Sequence, residues 1–207
     1  MCVYHACYGV ALESTLMKCL TCGRFCLSVL CQNCLDSIPL RPSVREVMGV
    51  RVYCFYGYDD VSFLLNSKYY TIGSRILARL SDKAARYFAH TFDKSQALHA
   101  LTLIGIDDFV RSYYSHTGVI TRSFAKHTAM KARYGQLKAS SQVSYAGKPL
   151  AYRQANKRGL SYTAKAKDLV IVDDIITTGT SFSEAISVCV DSGARVHFCL
   201  CLCNARI

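Results

Sequence analysis

One stretch near the end of this chain leaves few folding options: LVIVDDIITTGTS, Leu169 to Ser181. The apolar run Leu169 to Val172 reads as a four-residue strand. Asp173 to Thr180 reads as a loop. From Ser181 onward, Phe182, Ala185, Ile186, Cys189 and Val190 recur at helical spacing. Ser181 and Glu184 make a capping-box pattern at the start of that helix, and Gly193 is placed to end it. Arg195 to Cys203 reads as a second strand, apolar on both faces after Arg195. Strand, loop, helix and strand within about 35 residues make a βαβ unit, which requires a parallel sheet covered by helices. The predicted class is therefore α/β.

The same loop carries the chemistry. In a parallel α/β sheet, ligands bind beyond the carboxyl ends of the strands. A helix N-terminus offers backbone N–H groups and a positive dipole end to a phosphate. Gly179 allows a close backbone approach, and Thr177, Thr178, Thr180 and Ser181 add hydroxyl donors. Asp173 and Asp174 stand just before this cradle. Carboxylates repel phosphate but accept hydrogen bonds well from sugar hydroxyls. An acid pair followed by a phosphate nest describes a site for a sugar phosphate.

Upstream, residues 50–58 read as a strand, 60–92 mainly as helix, and 100–106 as a buried strand. A helix is predicted near 118–134, while 135–167 is polar, basic and without clear periodicity. Pro39 and Pro42 punctuate a linker. No apolar run reaches the roughly 18 residues of a membrane span. The N-terminus lacks a basic n-region and carries Glu13 early, so the expectation is a cytoplasmic chain without a secretory signal.

The chain has 12 Cys, and in a cytosolic setting these point to metal ligands and buried thiols rather than disulfides. Cys199, Cys201 and Cys203 alternate along the last strand as small hydrophobes. Cys19-x2-Cys22 and Cys31-x2-Cys34 are different. Four thiolates so spaced close a tetrahedral zinc site of the structural kind, with no open coordination position. A redox reading of the CxxC steps is poorer because two such pairs occur together. Cys26 is a spare, and Cys2, Cys7 and His5 fit packing better than ligation.

The net charge of +11 suits a polyanionic partner. Between Arg111 and Lys167 there is no Asp or Glu. Arg122, Lys126, Lys131, Arg133, Arg153, Lys157 and Arg158 are interleaved there with Tyr113, Tyr114, Tyr134, Tyr145, Tyr152 and Tyr162. Cations for phosphates and aromatics for base stacking are the chemistry of single-stranded nucleic acid binding. A solvated surface around an anionic small-molecule site fits the same composition.

The stretch Leu169–Ser181 resembles the signature of type I phosphoribosyltransferases, with Thr178 where many members carry a second glycine. An N-terminal four-Cys module joined to such a domain resembles the ComF competence family, and within it the ComFC-like members. The likeness extends to FYGYDD (Phe55 to Asp60), to the Lys68-Tyr69 step, and to Arg153 and Asn156 before the loop. The family's Pro-containing turn and RGFNQ-like element are missing. Arg111, Arg122 and Lys126 stand in the region that supplies the pyrophosphate loop of transferases.

The resemblance implies a type I phosphoribosyltransferase-like parallel sheet flanked by helices, spanning 46–207, after a zinc-finger module and linker at 1–45. It implies binding of 5-phosphoribosyl 1-pyrophosphate (PRPP), with Asp173 and Asp174 on the ribose 2′- and 3′-hydroxyls. Thr177, Thr178, Gly179, Thr180 and Ser181 would take the 5′-phosphate, and Mg2+ would ride on pyrophosphate and ribose oxygens. The implied role is natural transformation, in handling incoming single-stranded DNA alongside other uptake proteins at the inner membrane. Two alternatives are an active Mg2+-dependent phosphoribosyltransferase on an unidentified acceptor and a PRPP-sensing regulator.

Overall fold

The structure is a computed structural model that describes residues 18–92, 98–107, 110, 113–140, 152, 158–163 and 166–206. The first helix among the described residues is α1 (Gln32–Ser37), capped by the Cys31 side chain. Strands β1 (Ser43–Val47) and β2 (Val50–Gly57) form an antiparallel hairpin. Two helices follow, α2 (Tyr58–Asn66) and α3 (Gly73–Thr91), separated by a 3-10 turn at Ser67–Tyr69. Then come β3 (Thr102–Ile106), α4 (His116–Thr128), β4 (Lys131–Ala139) and β5 (Leu160–Tyr162). The last unit is β6 (Asp168–Ile176), α5 (Thr180–Asp191) and β7 (Arg195–Asn204).

The strands form one seven-stranded sheet in the order β1-β2-β7-β6-β3-β4-β5. The inner pairings are all parallel, and only the two edge pairs, β1–β2 and β4–β5, are antiparallel. The α/β reading therefore holds. Helices flank both faces. On one face α2, α3 and α4 pack with Val170, Val172 and Leu200, and Phe88 of α3 lies among Tyr53, Phe55, Phe92, Phe124 and Phe198. On the other, Phe182, Ala185, Ile186 and Cys189 of α5 pack on Leu169, Ile171, Cys199 and Cys201. The period-2 alternation along β6 thus feeds two cores, which is why every residue from Leu169 to Val172 is buried. Cys203, beyond the alternating stretch, packs with the first core.

Several elements differ from the sequence expectation. The segment 60–92 breaks into two helices at Ser67–Tyr69. The helix expected at 118–134 ends at Thr128, where Ala129 turns left-handed (φ 59°), and Lys131 onward is strand. The linker after Pro42 is not a linker throughout, because β1 adds to the sheet edge. Asp173 and Asp174 belong to β6 rather than to a loop, since pairing with β7 runs on through Asp173↔Cys201 to Ile176↔Asn204. Among the described residues, no helix is long and apolar enough to cross a membrane.

Candidate functional site

The sheet places β6 beside β3 at its centre. After β3 the chain crosses by α4 to β4 on one side. After β6 it crosses by α5, on the opposite face, to β7 on the other side. The two connections diverge, so the carboxyl ends of β3 and β6 mark the topological switch point, the place where open α/β sheets take their ligands. Asp173 and Asp174 stand at that end of β6.

Asp173 is buried and Asp174 is partly buried. The main-chain N–H of Asp174 donates to Asp173 Oδ1 at 2.9 Å. Lys68, from the 3-10 turn, donates its Nζ to Asp174 Oδ2 at 2.5 Å. The two carboxyls are driven apart electrically. Burial, together with the neighbouring Asp174 charge, lifts Asp173 well above the usual carboxylate range. Burial also opposes ionisation of Asp174, but Lys68 outweighs it and holds that carboxyl below its ordinary value. Burial likewise opposes the Lys68 charge, and Asp174 overcomes it, so the ammonium is held more firmly than usual.

The turn carrying Lys68 is fixed from two directions. His116, at the start of α4, donates Nε2–H to the Lys68 carbonyl at 2.8 Å. Gly73 opens α3 against the same turn, where a Cβ would lie 2.1 Å from Ser67 O and 2.6 Å from Tyr114 Oη. Only a glycine permits that approach. Tyr69 and Tyr114 both meet the His116 ring edge-on. His116 is biased toward the neutral form by burial.

The loop from Thr177 to Gly179 turns tightly into α5. Gly179 is the N-cap at φ 84°, and no side chain caps the helix. This corrects the capping-box expectation. Ser181 lies inside the first turn, and Glu184 instead accepts the backbone N–H groups of Arg158 (3.1 Å) and Leu160 (3.0 Å). The helix end is therefore left to backbone N–H groups and to the hydroxyls of Thr178 and Thr180, 2.9 Å apart. Arg45 of β1 ties the loop down, donating Nη1–H to Thr177 O at 2.6 Å. A Cβ on Gly179 would lie 3.0 Å from Val47 Cγ2 of the same strand.

The four cysteines converge as their spacing predicts. The sulfur atoms of Cys19, Cys22, Cys31 and Cys34 all lie within 4.8 Å of one another. Cys22 and Cys31 sulfurs are 3.8 Å apart, and a tetrahedron with Zn–S bonds near 2.3 Å calls for about 3.8 Å. Backbone N–H groups already point at sulfur, from Cys31 to Cys19 (3.3 Å) and from Cys34 to Cys31 (3.5 Å). Burial works against a Cys19 thiolate, yet the N–H donors of Cys31, Cys22 and Thr21 bring its pKa down to about 6. Cys34 is pushed up to about 12 by its hydrogen bonds to Cys31 and Cys22. Such a set is compatible with zinc. Cys26 lies outside it and accepts from Ser28 N. Leu30 and Leu35 anchor the module in the core, and Lys83 of α3 donates to the carbonyls of Leu35 (2.8 Å) and Ile38 (2.7 Å).

The basic residues are split. Arg122 and Lys126 are exposed on α4, where Lys126 pairs with Asp82 at 3.2 Å. Lys131 and Arg133 are exposed on β4, aligned with Thr102 and Ile104, and so face the α5 side of the sheet. Tyr113, Tyr134 and Tyr152 are exposed, whereas Tyr162 donates to Ala166 O. Arg158, expected on nucleic acid, lies near the acid pair, and its charge favours the ionised form of both carboxyls. Arg153, Lys157 and Asn156 lie outside the described residues, as do Arg111, Tyr145, Cys2, Cys7 and His5.

Sequence reasoning did not single out Arg45, Tyr114 or His116 for this site, and noted Lys68 only through family likeness. No local pattern marks them, because each reaches the site from a distant segment. No protein-family model matches the chain, and no curated protein matches it.

Proposed function

We propose that this chain is a ComF-type competence protein with a type I phosphoribosyltransferase-like fold, binding PRPP and single-stranded DNA during natural transformation. One observation carries the reading. Two adjacent carboxyls stand near the carboxyl end of a central parallel strand, which leads, through a Gly179 turn, into a helix N-terminus without a side-chain cap. Acceptors for sugar hydroxyls thus stand one short loop from donors for a phosphate. Asp173 and Asp174 take the ribose hydroxyls, and Thr177 to Ser181 take the 5′-phosphate. Mg2+ would enter with the pyrophosphate. Zinc, held by Cys19, Cys22, Cys31 and Cys34, supplies structure to a module too small to bury a core of its own. Exposed cations on α4 and β4, with Tyr113 and Tyr134 exposed nearby in sequence, support the DNA reading.

The test is Asp173→Ala with Asp174→Ala, scored in parallel for PRPP binding by calorimetry with Mg2+, for DNA binding by anisotropy, and for transformation. PRPP binding and transformation should be lost while DNA binding remains. A wild-type protein that binds no PRPP overturns the ligand assignment. DNA affinity that is weak and indifferent to salt overturns the DNA assignment.

A further inference from the structure

We infer that Lys68 is the specificity-determining cation for the anionic group at the anomeric end of the ligand, and that it rests on Asp174 until that ligand arrives. The inference rests on reading the acid pair and the α5 loop as a phosphoribosyl site, and it adds what selects the pyrophosphate.

The geometry runs across the sheet. The phosphate cradle, Thr177 to Ser181, leads into α5 on one face. Lys68 comes from the turn between α2 and α3, which cover the opposite face. The acid pair lies between them at the carboxyl end of β6. A ribose held by Asp173 and Asp174, with its 5-phosphate over the α5 N-terminus, extends its other end toward the Lys68 side. That other end carries C1.

Lys68 is suited to meet a group there. Its side chain is largely buried, its only ion-pair partner among the described residues is Asp174, and its ammonium lies 5.4 Å from the Tyr69 ring centroid. The backbone beneath it is pinned by His116 and by the Gly73 contact, so the base of the side chain is fixed while the ammonium can exchange one oxygen anion for another. A ribose hydroxyl that donates to Asp174 Oδ2 shares that oxygen with Lys68 and weakens the ion pair. A pyrophosphate at C1 then gives the buried ammonium a second anion. A ligand without an anion at C1 weakens the pair and offers the ammonium nothing in return, which is costly in a buried site.

The experiment compares PRPP with ribose 5-phosphate, both with Mg2+, by calorimetry on wild type, Lys68→Met and Lys68→Arg. Thermal melting serves as the fold control. Wild type should prefer PRPP, and Lys68→Met should shrink that preference by about ten- to hundredfold, the range of one charge-assisted hydrogen bond. Lys68→Arg should restore much of it. Should Lys68→Met unfold, the pair Lys68→Met with Asp174→Asn leaves no buried unpaired charge, and its preference is compared with that of Asp174→Asn alone. Equal loss of both ligands in Lys68→Met, or an unchanged preference, overturns the inference and leaves the phosphoribosyl site standing. A wild type that binds neither ligand overturns both.

Discussion

The Lys68–Asp174 pair joins segments 106 positions apart and is partly shielded on both sides, with side-chain exposures of 15% and 14%. Removing one partner should therefore behave as breakage of a buried pair rather than of a surface one. Lys68→Met keeps the apolar stem and removes the ammonium, leaving Asp174 beside Asp173, His116, Tyr114, Arg158 and Cys203. Breaking buried pairs costs about 3–5 kcal/mol in general, and with the Arg158 charge remaining nearby we expect about 2.5 kcal/mol at pH 7. Asp174→Asn should cost about as much, because it strands the ammonium. The double variant should lose only about 2 kcal/mol, giving a coupling of about 3 kcal/mol. For a chain of this size each single change lowers Tm by about 5–10 °C. The pH dependence has a definite sign. Asp174 is held below its ordinary value, so its contribution is present above the unfolded carboxylate range and is lost as pH falls through its folded value. Lys68 is held above its ordinary value, so its contribution persists until pH rises past the unfolded lysine range. The coupling should be flat between about pH 5 and 9 and decline as pH falls below the ordinary carboxylate range. Urea unfolding followed by far-UV circular dichroism, for all four proteins at pH 4, 7 and 9, measures it. A coupling below about 0.5 kcal/mol at pH 7 is what a solvated surface pair gives, and it would refute the argument.

Three further outcomes follow from the site. Gly179→Ala places a Cβ at φ 84° and 3.0 Å from Val47 Cγ2, so it should cost about 1–2 kcal/mol in melting and weaken PRPP binding far more than DNA binding; equal PRPP affinity counts against the phosphate cradle. Metal analysis should give one zinc per wild-type chain, and Cys19→Ser with Cys22→Ser should abolish it and expose the module around Leu30 and Leu35 to protease, whereas full zinc retention would show that other ligands hold it. Asp173 is held above its ordinary value, so it favours folding below the unfolded carboxylate range and loses that contribution as pH rises. Asp173→Asn should therefore raise Tm more at pH 8 than at pH 5, and an equal gain at both pH values would mean that Asp173 stays ionised throughout.

The parts of this molecule legible in the sequence are those where neighbouring residues decide their own structure. Leu169 to Val172 is apolar at every position, so only a strand covered on both faces satisfies it, and Phe182, Ala185, Ile186 and Cys189 repeat with a helix period. Two CxxC steps bring their own turn, and their sulfurs meet. Strands β1 and β4 gave no such signal. SVREV and KARYGQLKA lie toward the sheet edges and are partly exposed, so their composition is that of loops. The acid pair was read as loop because Asp disfavours strands, yet parallel pairing with β7 carries the strand past both residues to Ile176. What remained hidden is what completes the site. Arg45 reaches Thr177, Lys68 reaches Asp174, and His116 fixes Lys68, each across a distance in sequence that no periodicity spans. The loop from Thr177 to Thr180 announces itself locally because it is built from consecutive residues. Control of its acid pair is built from separate segments, since the Lys68 charge that stabilises the Asp174 carboxylate is brought to it through the fold.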